Sequence, residues 1–506
     1  MKILLTTLNS KYVHSNPALR YLYSASWGLD AEIELKEFTI NNEMGYIYTE
    51  ILRGRYDLVC FSCYIWNIDM ILRLGSDLKK AKPSMKILLG GPEVSYESRR
   101  LMEEHLWIDY ILRGEGEVSF PQFCRVLMAG EAISRCEGLT YRMGEEICKN
   151  ADGCLPSSDQ IPFLYSRMEP EKDKVVYYES SRGCPYRCSY CLSSLEKGIR
   201  ALPLERVKKE LGFFLKRDVK QVKFIDRTFN YDRKRAAEIW RYLMEQDNGV
   251  TNFHFEICGD LLDDESLSLL EEARDGLFQF EIGIQTVNPQ ALAAVDRNPD
   301  TSSLLQKVKQ LIKLGNSHIH VDLIAGLPFE DYESFGRSFD VVHSLCADNL
   351  QLGFLKMLKG TKIRRQADEH DYVFRETAPY EIISNRYLTA EELIKLKMIE
   401  HVLELYANKG GFSESLAFLQ PMTADSPFRF YEVLAEFFYK SGYQHRSHKK
   451  EDLYRILNHF AESLERCREG ESGSISENAR KVLSRDLENT MNFDAVKKFH
   501  KKGWDI

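Results

Sequence analysis

Three cysteines lie close together in the segment Arg182-Gly-Cys184-Pro-Tyr-Arg-Cys188-Ser-Tyr-Cys191. The segment directly follows a predicted strand over residues 175–181, which would place the cysteines on a loop at the end of that strand. Thiolates are soft ligands for iron–sulfur clusters, and short spacings let one loop surround one cluster. A zinc knuckle or three structural cysteines are the alternatives, but zinc needs a fourth ligand and the loop contains no histidine. The pattern therefore favours a [4Fe–4S] cluster.

The number of cysteines matters as much as their spacing. A cubane cluster has four irons, and four cysteines would occupy all of them. Cys184, Cys188 and Cys191 would leave one iron open to a small chelating ligand. The loop therefore predicts a cluster that can bind a ligand and pass an electron to it.

The spacing Cys-x-x-x-Cys-x-x-Cys, with Tyr190 just before the last cysteine, resembles the radical S-adenosylmethionine (SAM) superfamily over residues 175 to about 360. The resemblance implies that SAM binds the open iron through its amino and carboxylate groups. In that superfamily the cluster cleaves SAM reductively to methionine and a 5′-deoxyadenosyl radical, which abstracts a hydrogen atom from the substrate. The resemblance also implies an electron donor such as flavodoxin or ferredoxin.

The region around the cysteines contains strand candidates separated by helical or loop sequence, over residues 175–181, 221–226, 253–258, 278–285, 318–324 and 349–357. They predict a partial (β/α)6 TIM-like barrel, in which the chemistry gathers at the carboxyl ends of the strands. By the resemblance, residues of the cysteine loop and of successive strand ends would contact SAM, namely Tyr190, Asp226, Thr228, Glu256 and Gln285. Each of these could also be an ordinary polar residue with partners inside the protein.

Residues 1 to about 150 also alternate between strand and helix patterns. The strand candidates are residues 2–8, 32–38, 57–65, 85–89 and 108–112, with helices over 67–80 and 93–105 and a hairpin over 138–149. Such alternation predicts right-handed βαβ crossovers and a Rossmann-like parallel sheet. Ligands of these sheets bind beyond the carboxyl ends of the strands.

A parallel α/β domain ahead of a radical SAM core resembles the cobalamin-binding domain of cobalamin-dependent radical SAM enzymes. The loops after the predicted strands would then form the cobalamin site, through Asn9, Ser10, Lys11, Tyr12, Ser62, Tyr64, Trp66, Asn67, Gly90, Gly91, Glu93, Gly114, Glu115 and Gly116. The chain has no Asp-x-His-x-x-Gly motif, so we expect no histidine ligand on the lower face of cobalt. A Rossmann-like domain with no cofactor, or with a different nucleotide, is the alternative.

Pro156, Pro162 and Pro170 mark a linker over residues 151–174, between domains at 1–150 and 175–365. Residues 366–506 form a mainly helical domain, with helices predicted over 388–407, 428–440, 452–468 and 476–487. The order of the three domains resembles a bacterial family of cobalamin-type radical SAM proteins with an extra C-terminal domain of unknown function. The N-terminal segment resembles that family too, in the residues Leu8-Asn-Ser-Lys-Tyr-Val-His-Ser15.

The composition limits the partners. The 506 residues are 44% apolar with a formal net charge of −8, so a large basic field for nucleic acid is absent. A basic run over residues 443–450 leaves a local RNA contact open, although a solvated loop is the simpler interpretation. The apolar runs are shorter than the roughly 18 residues of a spanning helix, which predicts a cytoplasmic protein without a membrane partner and with reduced cysteines.

The resemblance implies a cobalamin-dependent radical SAM enzyme, most simply one that methylates an unactivated carbon. A radical SAM enzyme that catalyses bond cleavage, rearrangement or sulfur insertion is the first alternative. A non-catalytic, metal-containing protein that binds RNA or another partner is the second. The sequence specifies neither the substrate nor a catalytic residue.

Overall fold

The computed structural model describes residues 1–196, 198–467, 475–491 and 496. The chain forms two compact units. The first contains Met1–Phe280, Lys356–Ala367 and Phe374–Glu381, and the second contains Glu281–Leu355, Asp368–Val373 and Ile382–Ile506. Within the described residues, no helix is long and apolar enough to cross a membrane.

The first unit begins with a seven-stranded sheet in the order β2-β1-β3-β4-β5-β6-β7. Its strands are β1 (Lys2–Asn9), β2 (Glu32–Thr39), β3 (Leu58–Ser62), β4 (Lys86–Gly90), β5 (Tyr110–Leu112), β6 (Leu139–Met143) and β7 (Glu146–Lys149). The first five strands are parallel, which confirms the predicted sheet, and the predicted hairpin adds β6 and β7 as antiparallel strands. Strand order reverses between β1 and β3, where doubly wound sheets bind their ligands.

Helices cover both faces of this sheet: α1 (Pro17–Ala25), α2 (Met44–Arg53), α3 (Ile68–Ala81), α4 (Pro92–Ser95), α5 (Ser98–Glu104) and α6 (Gly116–Ala129). Successive side chains of a strand point to opposite faces. Leu4 and Val59 accordingly belong to one apolar cluster, and Leu5 and Cys60 to the other. The single helix predicted over 93–105 is wrong, because the backbone of Glu97 is not helical (φ −118°, ψ 36°) and separates α4 from α5.

The first unit continues with β8 (Val176–Tyr178), β9 (Ser181–Arg182), β10 (Arg200–Ala201), α7 (Leu204–Leu215), β11 (Gln221–Phe224), α8 (Arg233–Glu245), β12 (Asn252–Ile257) and α9 (Asp264–Glu271). Strands β8, β11 and β12 are parallel neighbours, with β11 in the middle. The next strand, β13 (Phe278–Gln285), begins in the first unit and ends in the second.

The second unit contains α10 (Pro289–Ala294), α11 (Thr301–Leu314), β14 (His318–Ala325), α12 (Tyr332–His343) and β15 (Asn349–Phe354). Strands β14 and β15 are parallel. The chain then returns to the first unit for α13 (Lys362–Arg365). The strands β8 and β11–β15 correspond to the six predicted strands, and the central part of the chain has the predicted α/β class.

The C-terminal part of the second unit is helical, as predicted: α14 (Ala390–Leu403), α15 (Ser413–Thr423), α16 (Pro427–Lys440), α17 (Lys450–Cys467) and α18 (Ile475–Thr490). The sequence did not predict α15, whose pattern is interrupted by Pro421. Residue 468, the last of a predicted helix, lies outside the described residues.

Candidate functional site

The three cysteines lie on a loop whose two ends are held together by β9 and β10. These strands pair antiparallel, with Arg182 opposite Arg200. Gly183 has a φ of 90°, and a Cβ atom at this position would overlap the carbonyl oxygen of Gly198. Only glycine fits this close approach of two backbone segments, so Gly183 lets the chain turn directly into Cys184.

The loop presents three free thiols. Cys188 is buried and the other two are half-buried, and the amide of Cys191 donates to the carbonyl of Cys188 at 3.0 Å. The sulfur of Cys184 lies 3.5 Å from Oγ1 of Thr228. Among the described residues, no three His, Cys, Asp or Glu side chains converge on a point suited to one metal ion. Thiolates of a cubane bind different irons and need not converge, so the donor set fits a cluster.

Asp226 follows β11 and is completely buried. Its carboxylate accepts hydrogen bonds from the amide of Ser180 at 2.8 Å and from the hydroxyls of Ser180 and Ser181 at 2.6 Å each. Burial raises the pKa of Asp226, and these hydrogen bonds act in the opposite direction. Both carboxylate oxygens are therefore used to brace the residues that precede the cysteine loop, and the contact with SAM stays a prediction.

Of the other predicted SAM contacts, three belong to the first unit and Gln285 belongs to the second. Thr228 is buried beside Cys184 and donates to the carbonyl of Arg227 at 2.8 Å, while Tyr190 and Glu256 are half-buried. Gln285 ends β13 in the second unit with a φ of 73°, and its buried Oε1 atom has no hydrogen-bond partner among the described residues.

Strands β8, β11 and β12 have one aromatic face and one polar face. Phe224 and Phe255 are fully buried on the aromatic face and pack together with ring centroids 4.5 Å apart. On the opposite face, Lys223 is the register partner of both Tyr177 and His254. Trp240 of α8 packs against Phe255, so the helices cover the aromatic face, and the polar face is the candidate ligand-binding surface of these strands.

The carboxyl ends of the N-terminal strands carry exposed aromatic side chains. Tyr12 follows β1 and is 66% exposed, Trp66 follows β3 and is 42% exposed, and Tyr96 follows β4 and is 41% exposed. Large apolar groups left in water at the ligand-binding edge of a sheet indicate a surface that another flat, apolar body covers. This edge therefore fits a macrocycle such as cobalamin.

The loop after β3 divides the predicted contacts into two kinds. Trp66 stacks on Tyr64 with ring centroids 4.4 Å apart and planes 5° apart, and its Nε1 donates to the carbonyl of Leu8 at 3.1 Å. Asn67 is buried, accepts from the amide of Tyr64 at 2.8 Å and donates to the carbonyls of Leu8 and Ser62 at 3.1 Å. Ser62 is buried as well. Asn67 thus holds the loop in shape, whereas Trp66 offers an exposed flat face.

The loop after β4 approaches β3 closely. Gly91 has a φ of 102°, and a Cβ atom there would lie 2.6 Å from the carbonyl oxygen of Cys63, whereas the nearest atom to a Cβ at Gly90 would be 3.6 Å away. The buried carboxylate of Glu93 accepts from the hydroxyl of Tyr380 at 2.7 Å, with Nζ of Lys359 at 3.7 Å. Burial raises the pKa of Glu93.

The loop after β1 is fixed at its base and open at its tip. Asn9 is buried and donates to the carbonyl of His14 at 3.0 Å and to Glu37 at 2.6 Å. Ser10 is half-buried, and Lys11 and Tyr12 are exposed. The tip therefore remains available to a ligand.

The loop after β5 contains Gly114, Glu115 and Gly116. The Glu115 carboxylate lies 2.5 Å from Nη1 of Arg182 and also pairs with Arg200. It connects the N-terminal domain to the base of the cysteine loop, a use that the sequence did not predict.

Three family models match the chain. A B12 binding domain matches residues 3–123, the radical SAM superfamily matches residues 178–342, and a "Protein of unknown function (DUF4080)" matches residues 368–504. The chain therefore contains a B12-binding domain and a radical SAM domain. A radical SAM domain uses a [4Fe–4S] cluster and SAM, and a B12-binding domain uses cobalamin.

Individual relatives agree with this assignment. The chain is 25% identical over 395 residues to the cobalamin-dependent radical SAM methyltransferase TokK of Streptomyces tokunonensis, covering 72% of this chain but only 56% of TokK. It is 23% identical over 395 residues to an anaerobic magnesium-protoporphyrin IX monomethyl ester cyclase of Rubrivivax gelatinosus, covering 75% of this chain and 69% of the cyclase. The fold is similar to that of the radical SAM methyltransferase TsrM of Kitasatospora setae, with a TM-score of 0.63, 17% identity and coverage of 75% and 76%.

Each of the two units also contains a mostly buried charged residue with several partners that the sequence did not indicate. In the first unit, Arg182 precedes the cysteine motif and binds Glu117 and Glu179 as well as Glu115. In the second unit, the buried carboxylate of Glu330 accepts hydrogen bonds from Thr286 and Ser338. The partners of these carboxylates lie in other elements, and no short motif signals them.

Proposed function

We propose that this protein is a cobalamin-dependent radical SAM methyltransferase that methylates an unactivated carbon of its substrate. The main support for this proposal is the closed three-cysteine loop, which Glu115 connects to a parallel α/β domain with an exposed aromatic edge. When bound, the cluster and SAM supply hydrogen-atom abstraction and cobalamin supplies the methyl group. The residues of the chain hold these groups, orient them and exclude water.

Cys184, Cys188 and Cys191 would hold the cluster. Gly183 sets the turn into the loop, and Asp226 fixes the residues before it through three hydrogen bonds. A buried carboxylate that accepts several hydrogen bonds is a rigid anchor, because releasing it would leave buried donors unpaired. This rigidity would keep the open iron facing the same side of the loop.

Thr228, Tyr190, Glu256 and Gln285 would bind SAM. Thr228 lies against Cys184, and Glu256 lies two residues beyond His254 on β12. The buried Oε1 atom of Gln285 would accept a hydrogen bond from the ligand, because a buried acceptor without a partner is unfavourable. Asp226 would support these residues through its hydrogen bonds to Ser180 and Ser181.

Trp66 would lie against the lower face of the corrin ring. Its exposed indole face is held flat by Tyr64 and by the hydrogen bond to Leu8. The indole nitrogen is a donor only and has no lone pair for cobalt. The lower face would therefore be covered without being ligated. Tyr12 and the backbone at Gly91 would border the same pocket, while Asn67 would support the loop from below.

The test requires no known substrate. Purified anaerobically with cobalamin, the protein is incubated with reductant and SAM labelled on its methyl group. We expect labelled methylcobalamin with S-adenosylhomocysteine, together with 5′-deoxyadenosine. Cys184→Ala should lose 5′-deoxyadenosine and most of the iron, whereas Cys154→Ala, at an exposed cysteine of the linker, should retain both. Release of 5′-deoxyadenosine without any labelled methylcobalamin would contradict methyl transfer.

A radical reaction without methylation is the second candidate. The observation that favours it is the similarity to the magnesium-protoporphyrin cyclase, which covers more of this chain than TokK does. It predicts cobalamin binding and 5′-deoxyadenosine release with no S-adenosylhomocysteine. The same labelling experiment therefore separates the two candidates.

A further inference from the structure

Two arginines face each other at the base of the cysteine loop. Arg182 and Arg200 are direct register partners on β9 and β10. Like charges directly opposite on neighbouring strands are destabilising. Within the described residues of the cysteine loop, Glu196 lies 3.9 Å from Arg200, and Arg182 pairs with Glu179, just before the loop, at 2.7 Å. A carboxylate that pairs with both arginines at once adds a negative charge between them and offsets their repulsion.

Glu115 supplies that charge. One of its oxygens, Oε2, lies 2.5 Å from Nη1 of Arg182 and 3.1 Å from Nη1 of Arg200, and the other, Oε1, pairs with Nη2 of Arg200. The three side chains are mostly buried, with exposures of 10%, 21% and 14% for Arg182, Arg200 and Glu115. Charge-assisted pairs shielded from water are strong and directional, so one carboxylate holds both ends of the loop.

The surroundings make this arrangement rigid. Arg182 also binds Glu117 at 2.6 Å and Glu179 at 2.7 Å, and its guanidinium lies 4.8 Å from the centre of the Tyr21 ring. Burial of Glu179 raises its pKa to about 7, despite the contact with Arg182. These partners of Arg182 belong to α6, to α1 and to the segment between β8 and β9. The guanidinium therefore cannot move without breaking several ion pairs.

Glu115 belongs to the loop between β5 and α6, at the carboxyl edge of the N-terminal sheet. Gly114 before it has a φ of 77°, and Gly116 after it begins α6. This is the edge where a ligand of such a sheet binds. The same short segment would thus border the cobalamin site, and it also fixes the cysteine loop.

We infer that Glu115 is a positioning residue that couples cobalamin binding in the N-terminal domain to SAM binding at the cysteine loop. The inference rests on the proposed function. Cobalamin bound at this edge would contact the loop after β5 and stabilise its present conformation, and Glu115 would transmit this stabilisation to both ends of the cysteine loop through Arg182 and Arg200. Coupling between two sites is reciprocal, so SAM tightens cobalamin by the same factor as cobalamin tightens SAM.

The experiment measures the dissociation constant of SAM for the cluster-loaded full-length protein, anaerobically, with and without saturating cobalamin. In the wild-type protein, we expect cobalamin to tighten SAM binding by about 5- to 20-fold, in the usual range of coupling between sites. Glu115→Gln keeps the size of the side chain and removes its charge. It should reduce the factor to below about 2 while iron content stays close to wild type. The electron paramagnetic resonance spectrum of the reduced cluster should likewise stop responding to cobalamin.

Two further variants keep the test decisive. Arg200→Gln removes one of the two arginines that Glu115 holds, so it should also reduce the coupling. It leaves Arg182 with its three carboxylates and can therefore replace Glu115→Gln if that variant fails to fold. Glu169→Gln alters an exposed pair with Arg217 and should keep the full factor. An unchanged factor in both Glu115→Gln and Arg200→Gln overturns the inference, as does a wild-type protein that binds both ligands independently. A wild-type protein that takes up no cobalamin refutes the proposed function itself, and the coupling with it.

Discussion

Glu330 is a buried carboxylic acid whose burial favours its neutral form. It is completely buried in the second unit, between the ends of β13 and β14 and helix α12. One oxygen accepts hydrogen bonds from Thr286 and, at 3.1 Å, from Ser338, while the other has no partner among the described residues. Burial raises the pKa of Glu330 from its usual 4.5 to about 7.

This shift makes stability depend on pH. Because the pKa is higher in the folded protein than in the unfolded chain, the folded state binds the proton more tightly. The stabilisation is complete below pH 4.5 and is lost as the pH rises through about 7. One pKa unit corresponds to about 1.4 kcal/mol, so the lost stabilisation between pH 5.5 and pH 8 is about 2 kcal/mol. Glu330→Gln has the same shape but cannot ionise, and should lack this loss.

The assay is denaturant unfolding followed by circular dichroism at pH 5.5 and pH 8. We expect the free energy of unfolding of Glu330→Gln, relative to wild type, to improve by about 2 kcal/mol between the two pH values. Glu333→Gln, at an exposed position on the same helix, controls for general effects of charge and should follow the wild-type profile. Parallel pH profiles for wild type and Glu330→Gln would show that Glu330 is ionised throughout, and would refute the reasoning.

Two other substitutions test the loops that hold the cofactors. Gly91→Ala should lower the free energy of unfolding by about 2–4 kcal/mol and abolish cobalamin uptake, because its Cβ would lie 2.6 Å from the carbonyl oxygen of Cys63 at a φ of 102°. Gly90→Ala is the control and should be tolerated. Equal cobalamin uptake by the two variants would disprove the argument that the backbone segments approach too closely for a side chain. Asp226→Ala leaves the buried donors of Ser180 and its neighbour unpaired and should lower both stability, by about 3–5 kcal/mol, and iron content. Full iron uptake by Asp226→Ala in an iron assay would show that the carboxylate does not brace the cysteine loop.

The strands were predictable because buried strands are short apolar runs that end at polar turns. Phe278–Gln285 was predicted to the residue, and the hairpin around Gly144 was recognised from its turn. Helices with an interrupted pattern were not predictable in the same way. Ser413–Thr423 contains Pro421 and was missed, and the break at Glu97 divided a helix that looked continuous.

The cysteine loop was predictable because its function depends on local spacing. The roles of the charged residues were not, because their partners are far away in the sequence. Glu115 meets Arg182 across 67 positions and Arg200 across 85, and Glu93 meets Tyr380 across 287. A glycine-rich loop such as the one around Glu115 indicates close approach of the backbone, but it does not say what the carboxylate between the glycines will bind.

Burial and pairing now divide the predicted contacts into two groups. Burying a charge or an amide is unfavourable unless it is paired, so a buried polar group whose bonds are all made inside the protein is already committed to the fold. Asp226 and Asn67 meet this condition, and Glu93 is bonded to Tyr380 through one carboxylate oxygen. Trp66 and Gln285 do not, since one exposes a flat apolar face and the other buries an acceptor without a partner. Ligand contacts should therefore be sought first at Trp66 and Gln285, and substitutions at the first group should reduce cofactor binding only through the loops that they hold.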